Sequence, residues 1–211
     1  MKTKIIIVDY GLGNIRSAIN SIKKALEYKN IDATVERSSN YKSLKEATHV
    51  VLPGQGAFES CIQGLKKLDG IIEELNENII IKKKPFLGIC VGMQLLANQS
   101  FENGTHKGLG WVEGDIIKIP GEGLVLPHMG WNKIINSKKH SILKNIQAEH
   151  FYFVNSYYFQ IKNKSFIISE SKYGLEFPAI IACDNIIATQ FHPEKSSKAG
   201  IELLSNFLLM Q

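Results

Sequence analysis

Pro85-Phe86-Leu87-Gly88-Ile89-Cys90-Val91-Gly92-Met93-Gln94 is the stretch on which the fold turns. Pro85–Ile89 has the length of one strand and no polar position on either face, as expected of a parallel strand buried on both sides. The apolar run stops at Gly88-Ile89-Cys90-Val91-Gly92, and a helical stretch, Gly92–Asn98, follows. Glycines two residues to either side of a thiol at a strand-to-helix boundary match the sharp turn that exposes a nucleophile. They also let neighbouring backbone approach closely. The positive end of the helix that begins there favours a thiolate.

The same strand-then-helix rhythm recurs towards the N-terminus. Lys4–Val8 is a β-branched apolar run, and Asn14–Glu27 places Ile15, Ala18, Ile19, Ile22, Ala25 and Leu26 at helical spacing. A weaker strand near Ala33–Val35, a buried one at His49–Leu52 and a helical stretch Phe58–Glu77, with a break near Gly70, complete the first half. Beyond Gln94 the pattern changes. Gly104 to Gly130 is rich in glycine, and short strands are expected near Asp115–Ile119, His150–Val154, Tyr157–Ile161, Phe166–Ser169, Ala179–Cys183 and Ile186–Thr189. Asp184-Asn185 suits a tight turn between the last two. Ser197–Leu209 reads as a closing amphipathic helix. The expected fold is α/β and doubly wound: a mostly parallel central sheet with helices on both faces, plus a small antiparallel sheet. Without repeats or a linker, residues 1–211 read as one domain.

Composition narrows the function. With 44% hydrophobic residues and no apolar run near the ~20 residues a membrane span needs, the chain reads as cytoplasmic, with no membrane partner. Met1–Asp9 reads as a first strand and not as a signal peptide. The formal charge of +5 is not gathered into a basic stripe, so nucleic acid is not the expected partner. The run Lys82-Lys83-Lys84 reads as a solvated loop. Cys61, Cys90 and Cys183 are odd in number and widely spaced, which fits neither a disulfide framework nor a zinc site. Gly11-Leu12-Gly13-Asn14 lacks the third glycine of a dinucleotide turn. No metal or cofactor is expected.

Taken singly, a cysteine is most often core filler, which is how Cys61 and Cys183 read. Cys90 has the setting of a nucleophile, and a nucleophile needs a base that is itself oriented. Among six histidines, His192 stands where a strand ends, fixed by Pro193 and followed by a carboxylate, Glu194, two residues on. A glycine-flanked loop, Leu52-Pro53-Gly54-Gln55-Gly56-Ala57, follows another strand and can turn N–H groups towards an oxyanion together with the N–H of Val91. His128 and His150 read as structural or exposed. Tyr157, Tyr158 and Phe159 read as strand packing.

Together these segments resemble the class I, or triad-type, glutamine amidotransferases, in the nucleophile motif Gly88–Gln94 and in His192-Pro193-Glu194. Asp9-Tyr10-Gly11-Leu12-Gly13-Asn14, Pro53–Phe58, Met129-Gly130-Trp131-Asn132, Tyr152–Tyr157 and Gln190–Ser196 narrow the resemblance to the glutaminase subunits of imidazole glycerol phosphate synthases. The resemblance implies that Cys90 attacks the side-chain amide of glutamine, His192 moves the proton and Glu194 orients His192. It implies that Gln94, Glu102, Ser156 and Tyr157 bind glutamine and that Gly54, Gln55 and Val91 form the oxyanion region. It further implies a heterodimer with a (β/α)8-barrel cyclase, reached through Asn14, Trp131 and Lys195, which uses the ammonia in histidine biosynthesis. Two positions depart from the family's pattern: Gln55 stands where valine is usual, and Asn155 where histidine is usual. Neither touches the expected triad. Both leave open a paralogous subunit that feeds ammonia to a sugar-modifying enzyme of surface-polysaccharide synthesis. A stand-alone cysteine hydrolase and a catalytically dead regulatory subunit are the competing classes.

Overall fold

A computed structural model describes residues 3–121, 123–136, 138–147 and 150–211. The first strand, β1 (Thr3–Val8), pairs in parallel with β2 (Ala33–Ser38) on one side and β3 (His49–Gly54) on the other. Next to β3 lies β4 (Phe86–Cys90), also parallel. All six residues of β3 and all five of β4 are buried, as a strand covered on both faces requires.

Between these strands run α1 (Ile15–Lys29), α2 (Tyr41–Lys45), α3 (Phe58–Lys66) and α4 (Ile71–Leu75), the last continuing as a π-helical turn over Asn76–Ile81. The break expected near Gly70 is there: Gly70 has φ +66° and sits against the ring of Tyr41. The helix expected at Gly92–Asn98 is shorter, α5 (Val91–Gln94). Its next carbonyls are taken by another segment. Leu95 O accepts from Leu109 N (2.8 Å), Leu96 O from Val112 N (3.0 Å) and Ala97 O from Gly110 N (3.0 Å), so the helical ladder cannot continue.

The second half adds β5 (Gln99–Ser100), β6 (His106–Lys107), β7 (Gly114–Lys118), β8 (His128–Asn136), β9 (His150–Asn155), β10 (Tyr157–Ile161), β11 (Ile167–Tyr173), β12 (Leu175–Cys183) and β13 (Ile186–Thr189). The closing helix is α6 (Ser197–Leu208). The nine-stranded sheet has the order β2-β1-β3-β4-β13-β12-β11-β8-β9, and a four-stranded sheet has the order β10-β7-β5-β6. From β2 to β13 every pairing in the large sheet is parallel, and from β13 to β9 every pairing is antiparallel. The α/β fold with its second, smaller sheet is the one expected. α1 and α6 pack on each other, tied by Lys29 Nζ to Glu202 Oε1 at 2.8 Å, while α2, α3 and α4 form a separate group. No helix among the described residues is long and apolar enough to cross a membrane.

Candidate active site

β3, β4 and β13 lie side by side and parallel, so their carboxyl ends open on one edge of the sheet. That edge is where open α/β sheets hold ligands. It presents Gly54, Cys90 and, just past β13, the segment Gln190–His192.

At Cys90 the chain takes φ 55° and ψ −112°, a combination that costs an L-residue about 1–3 kcal/mol and persists only where the surroundings enforce it. The enforcement is steric. A Cβ on Gly92 would stand 1.9 Å from the carbonyl oxygen of Leu52 in β3, and one on Gly54 would stand 2.6 Å from the nitrogen of Gly92. The two glycines let the ends of β3 and β4 close on each other and throw the thiol outward. The one-turn helix α5 has too few aligned peptides to act as much of a dipole, so the charge that faces the sulfur comes from a side chain.

That side chain is His192, with 3% exposure. Its Nδ1 donates to Glu194 Oε1 at 2.8 Å, leaving Nε2 for Cys90. Burial works against a charged ring, but the negative sulfur of Cys90, a hydrogen bond with it and the Glu194 carboxylate together outweigh burial, and the pKa is pushed up to about 10. That direction favours the protonated imidazole, a proton donor facing the Cys90 sulfur. Backbone bonds hold it in place: His192 N donates to Tyr152 O (2.9 Å), and Ser196 Oγ, which donates to His192 O (2.6 Å), accepts from Tyr152 N (3.0 Å). Through these bonds β9, at the far edge of the sheet, curls back over the ends of the parallel strands.

A cavity of about 390 Å³ opens above the sulfur. Of the residues expected from the sequence, Gln55, Cys90, Val91, Gln94, Glu102, Ser156, Tyr157, His192 and Lys195 line it. Gly54 is buried behind Val91, and Glu194 stands behind His192. Glu102 is held on the wall because its Oε2 accepts from the first N–H of α3, Phe58 N, at 2.7 Å. The Gln55 carbonyl accepts from Cys61 Sγ at 3.5 Å, and Tyr10 Oη donates to Pro53 O at 2.7 Å, so the loop after β3 is pinned from below. Asn14 lies apart at the start of α1 and makes no side-chain capping bond. Trp131 is outside the lining but 53% exposed on the rim, edge-on to Tyr152 at 6.1 Å. Lys195 Nζ covers the same Tyr152 ring at 5.7 Å.

Met129, Tyr152, Val154 and Gln190 belong to the site although the sequence reading gives them no role in it. The first three share the wall. Tyr152 and Val154 are on one face of β9, with Phe151 and Phe153 buried on the other, so strict alternation held the signal. Gln190 is fully buried, donates from Nε2 to Cys90 Sγ at 3.9 Å and accepts from Gln94 Nε2 at 3.1 Å. Nothing in its sequence setting marks it as facing the thiol.

The family model described as "Glutamine amidotransferase class-I" matches residues 6–211. The imidazole glycerol phosphate synthase subunit HisH of Rhodospirillum rubrum is 41% identical over 209 residues, covering 97% of this chain and 98% of that one. The subunit of the same name from Pelagibacter ubique is 42% identical over 207 residues, with the same coverage, 97% and 98%. A solved glutamine amidotransferase superposes with a TM-score of 0.71 at 17% identity, covering 97% of this chain and 96% of that one, and shares the fold. The chain belongs to the class I glutamine amidotransferases and, within them, stands with the HisH subunits of imidazole glycerol phosphate synthase.

Proposed function

We propose that this chain is the glutaminase subunit of an imidazole glycerol phosphate synthase: one amidotransferase domain over residues 1–211 that hydrolyses glutamine and delivers the ammonia to a barrel-shaped cyclase. The observation that carries the chemistry is the buried Cys90–His192–Glu194 line beneath a cavity of about 390 Å³. The near full-length likeness to HisH subunits supports the pathway.

In this mechanism the Cys90 sulfur attacks the side-chain amide carbon of glutamine, and the carbonyl oxygen becomes an oxyanion met by the N–H of Val91 and the loop Gly54-Gln55. Protonated His192 gives its proton to the departing nitrogen, and ammonia leaves a glutamyl thioester on Cys90. His192, now neutral, takes a proton from water as water attacks the thioester. Glutamate leaves, and the sulfur and the histidine regain their starting charges. Glu194 steadies the imidazolium through Nδ1 and fixes which nitrogen faces the sulfur. Glu102 offers an anion to the α-ammonium of the substrate, while Gln94, Ser156 and Tyr157 complete the walls.

The partner face is read from β8. Met129, Trp131 and Ile135, with Lys133 between the last two, share its outer side and are 63%, 53% and 54% exposed, a row of large apolar side chains that starts at the cavity wall with Met129. Such a row on a monomer marks a contact surface. Trp131, Lys195 and Asn14 are the proposed contacts.

The test is glutamate release from glutamine by this chain alone, then with a cyclase subunit and its ribonucleotide ligand. Stimulation by that pair, abolished in Cys90→Ala while the two chains still co-purify, is the expected result. A reactive Cys90 that the cyclase does not stimulate would replace the histidine pathway with a sugar-modifying partner.

A further inference from the structure

We infer that Gln190 is a positioning residue for the Cys90 sulfur: its side-chain amide is oriented, through Gln94, to donate to that sulfur. This role rests on the glutaminase reading above. The orientation follows from one backbone carbonyl. Tyr157 O can only accept, and Gln94 Nε2 meets it at 3.2 Å, so the nitrogen and not the oxygen of the Gln94 amide must lie there. The second N–H of the same nitrogen then points at Gln190, which has to present its oxygen, at 3.1 Å. With Oε1 committed to Gln94, Gln190 turns its nitrogen to Cys90 Sγ, at 3.9 Å.

The polarity of the row runs one way, from an acceptor that cannot reverse to a donor on sulfur. A thiolate accepts hydrogen bonds and a thiol accepts them weakly, so the row favours the charged sulfur. Gln190 is fully buried and Gln94 is 4% exposed, so water does not compete for these bonds. Both N–H groups of Gln94 are used inside the protein, so the atom with which Gln94 meets a bound glutamine is its Oε1, an acceptor for an N–H of the substrate. Gln190 thus acts twice. It holds the sulfur, and it sets the face that Gln94 turns to the cavity.

The test is the pH profile of iodoacetamide labelling at Cys90, read by peptide mass spectrometry so that Cys61 and Cys183 are counted apart. Gln190→Met keeps the bulk and removes the amide. Gln190→Glu keeps an acceptor for Gln94 but offers the sulfur an anion. The other titratable groups around the sulfur are His192 with Glu194, Tyr10 and Cys61, and across the cavity Glu102, Tyr152, Tyr157 and Lys195, all unchanged in both variants. The labelling midpoint is expected to move up by about one pH unit in Gln190→Met and further in Gln190→Glu. At a pH below both labelling midpoints, partner-stimulated kcat/KM should fall about tenfold in Gln190→Met and recover as the pH is raised, which a packing defect would not do. If Gln190→Glu does not fold, Gln190→Met decides alone. A folded Gln190→Met with the wild-type labelling midpoint overturns the inference. A shifted midpoint in a chain whose wild type releases no glutamate with any partner upholds the contact and sinks the glutaminase assignment instead.

Discussion

Where β3 and β4 end, the site is made of backbone: a single methyl group on Gly92 would land 1.9 Å from Leu52 O, and Cys90 is forced to φ 55°. Where β9 and β13 end, it is made of side chains, with Glu194 on His192 at 2.8 Å and Gln190 between Gln94 and the sulfur. The parallel half aims the Cys90 thiol by excluding every other path for the chain. The segment that follows β13, held by β9, sets charge and proton position by hydrogen bonds. Faults in the first should damage geometry and stability together, whereas faults in the second should change protonation and leave the fold standing.

The largest effect is expected from Glu194→Gln, a fault on the side-chain side of the site. Losing the orienting charge should lower partner-stimulated glutamate release by about 10²–10⁴-fold, with a melting curve near that of the wild type. The pH dependence gives the sign. In the wild type, hydrolysis should fall as the pH rises towards and through about 10, where His192 loses the proton it gives to ammonia. Removing the Glu194 charge takes away one cause of that raised value, so the alkaline fall should come at lower pH. A fall in the variant at the wild-type pH would show that Glu194 does not support the imidazolium.

Gly92→Ala probes the other half. The added methyl meets a backbone carbonyl that cannot swing away, so β3 and β4 must part. A cost of about 1–3 kcal/mol in denaturant unfolding and a loss of about 10²-fold in glutamate release are expected together. Unchanged stability would mean that the strand ends are looser than their contact distance implies.

Trp131→Ala sharpens the boundary between site and partner and should have the smallest effect. Trp131 meets the site through the Tyr152 ring. An exposed tryptophan at the centre of an interface typically contributes ~2 kcal/mol, so affinity for the cyclase, measured by calorimetry, should weaken by about 30-fold. Iodoacetamide labelling of Cys90 should match the wild type. An unchanged affinity would move the partner surface off β8.

The parallel half was the more legible one in the sequence. Ile5–Val8, Val50–Leu52 and Phe86–Ile89 are unbroken apolar runs because both their faces are covered, and the elbow announces itself by Gly88 and Gly92. β8 was not foreseen. Met129, Trp131 and Ile135 lie exposed on the strand and blur the alternation that would have marked it, and Gly130 interrupts it. The helix after the elbow looked longer than it is because Leu95, Leu96 and Ala97 are good helix formers, and the competing donors at Leu109, Gly110 and Val112 are distant in sequence. The pairing of His192 with Glu194 was readable from local spacing. The reach of Gln190 to the sulfur was not, because it depends on a carbonyl at Tyr157 brought in by another sheet.

The most direct measurement is the intact and peptide mass of the chain after acid quench, taken while it turns over glutamine with a cyclase and its ribonucleotide. A glutamyl thioester on Cys90, absent in Cys90→Ala, is the predicted result. Glutamate release with no adduct on Cys90, or with an adduct on Cys61 or Cys183, would contradict nucleophilic catalysis at the elbow.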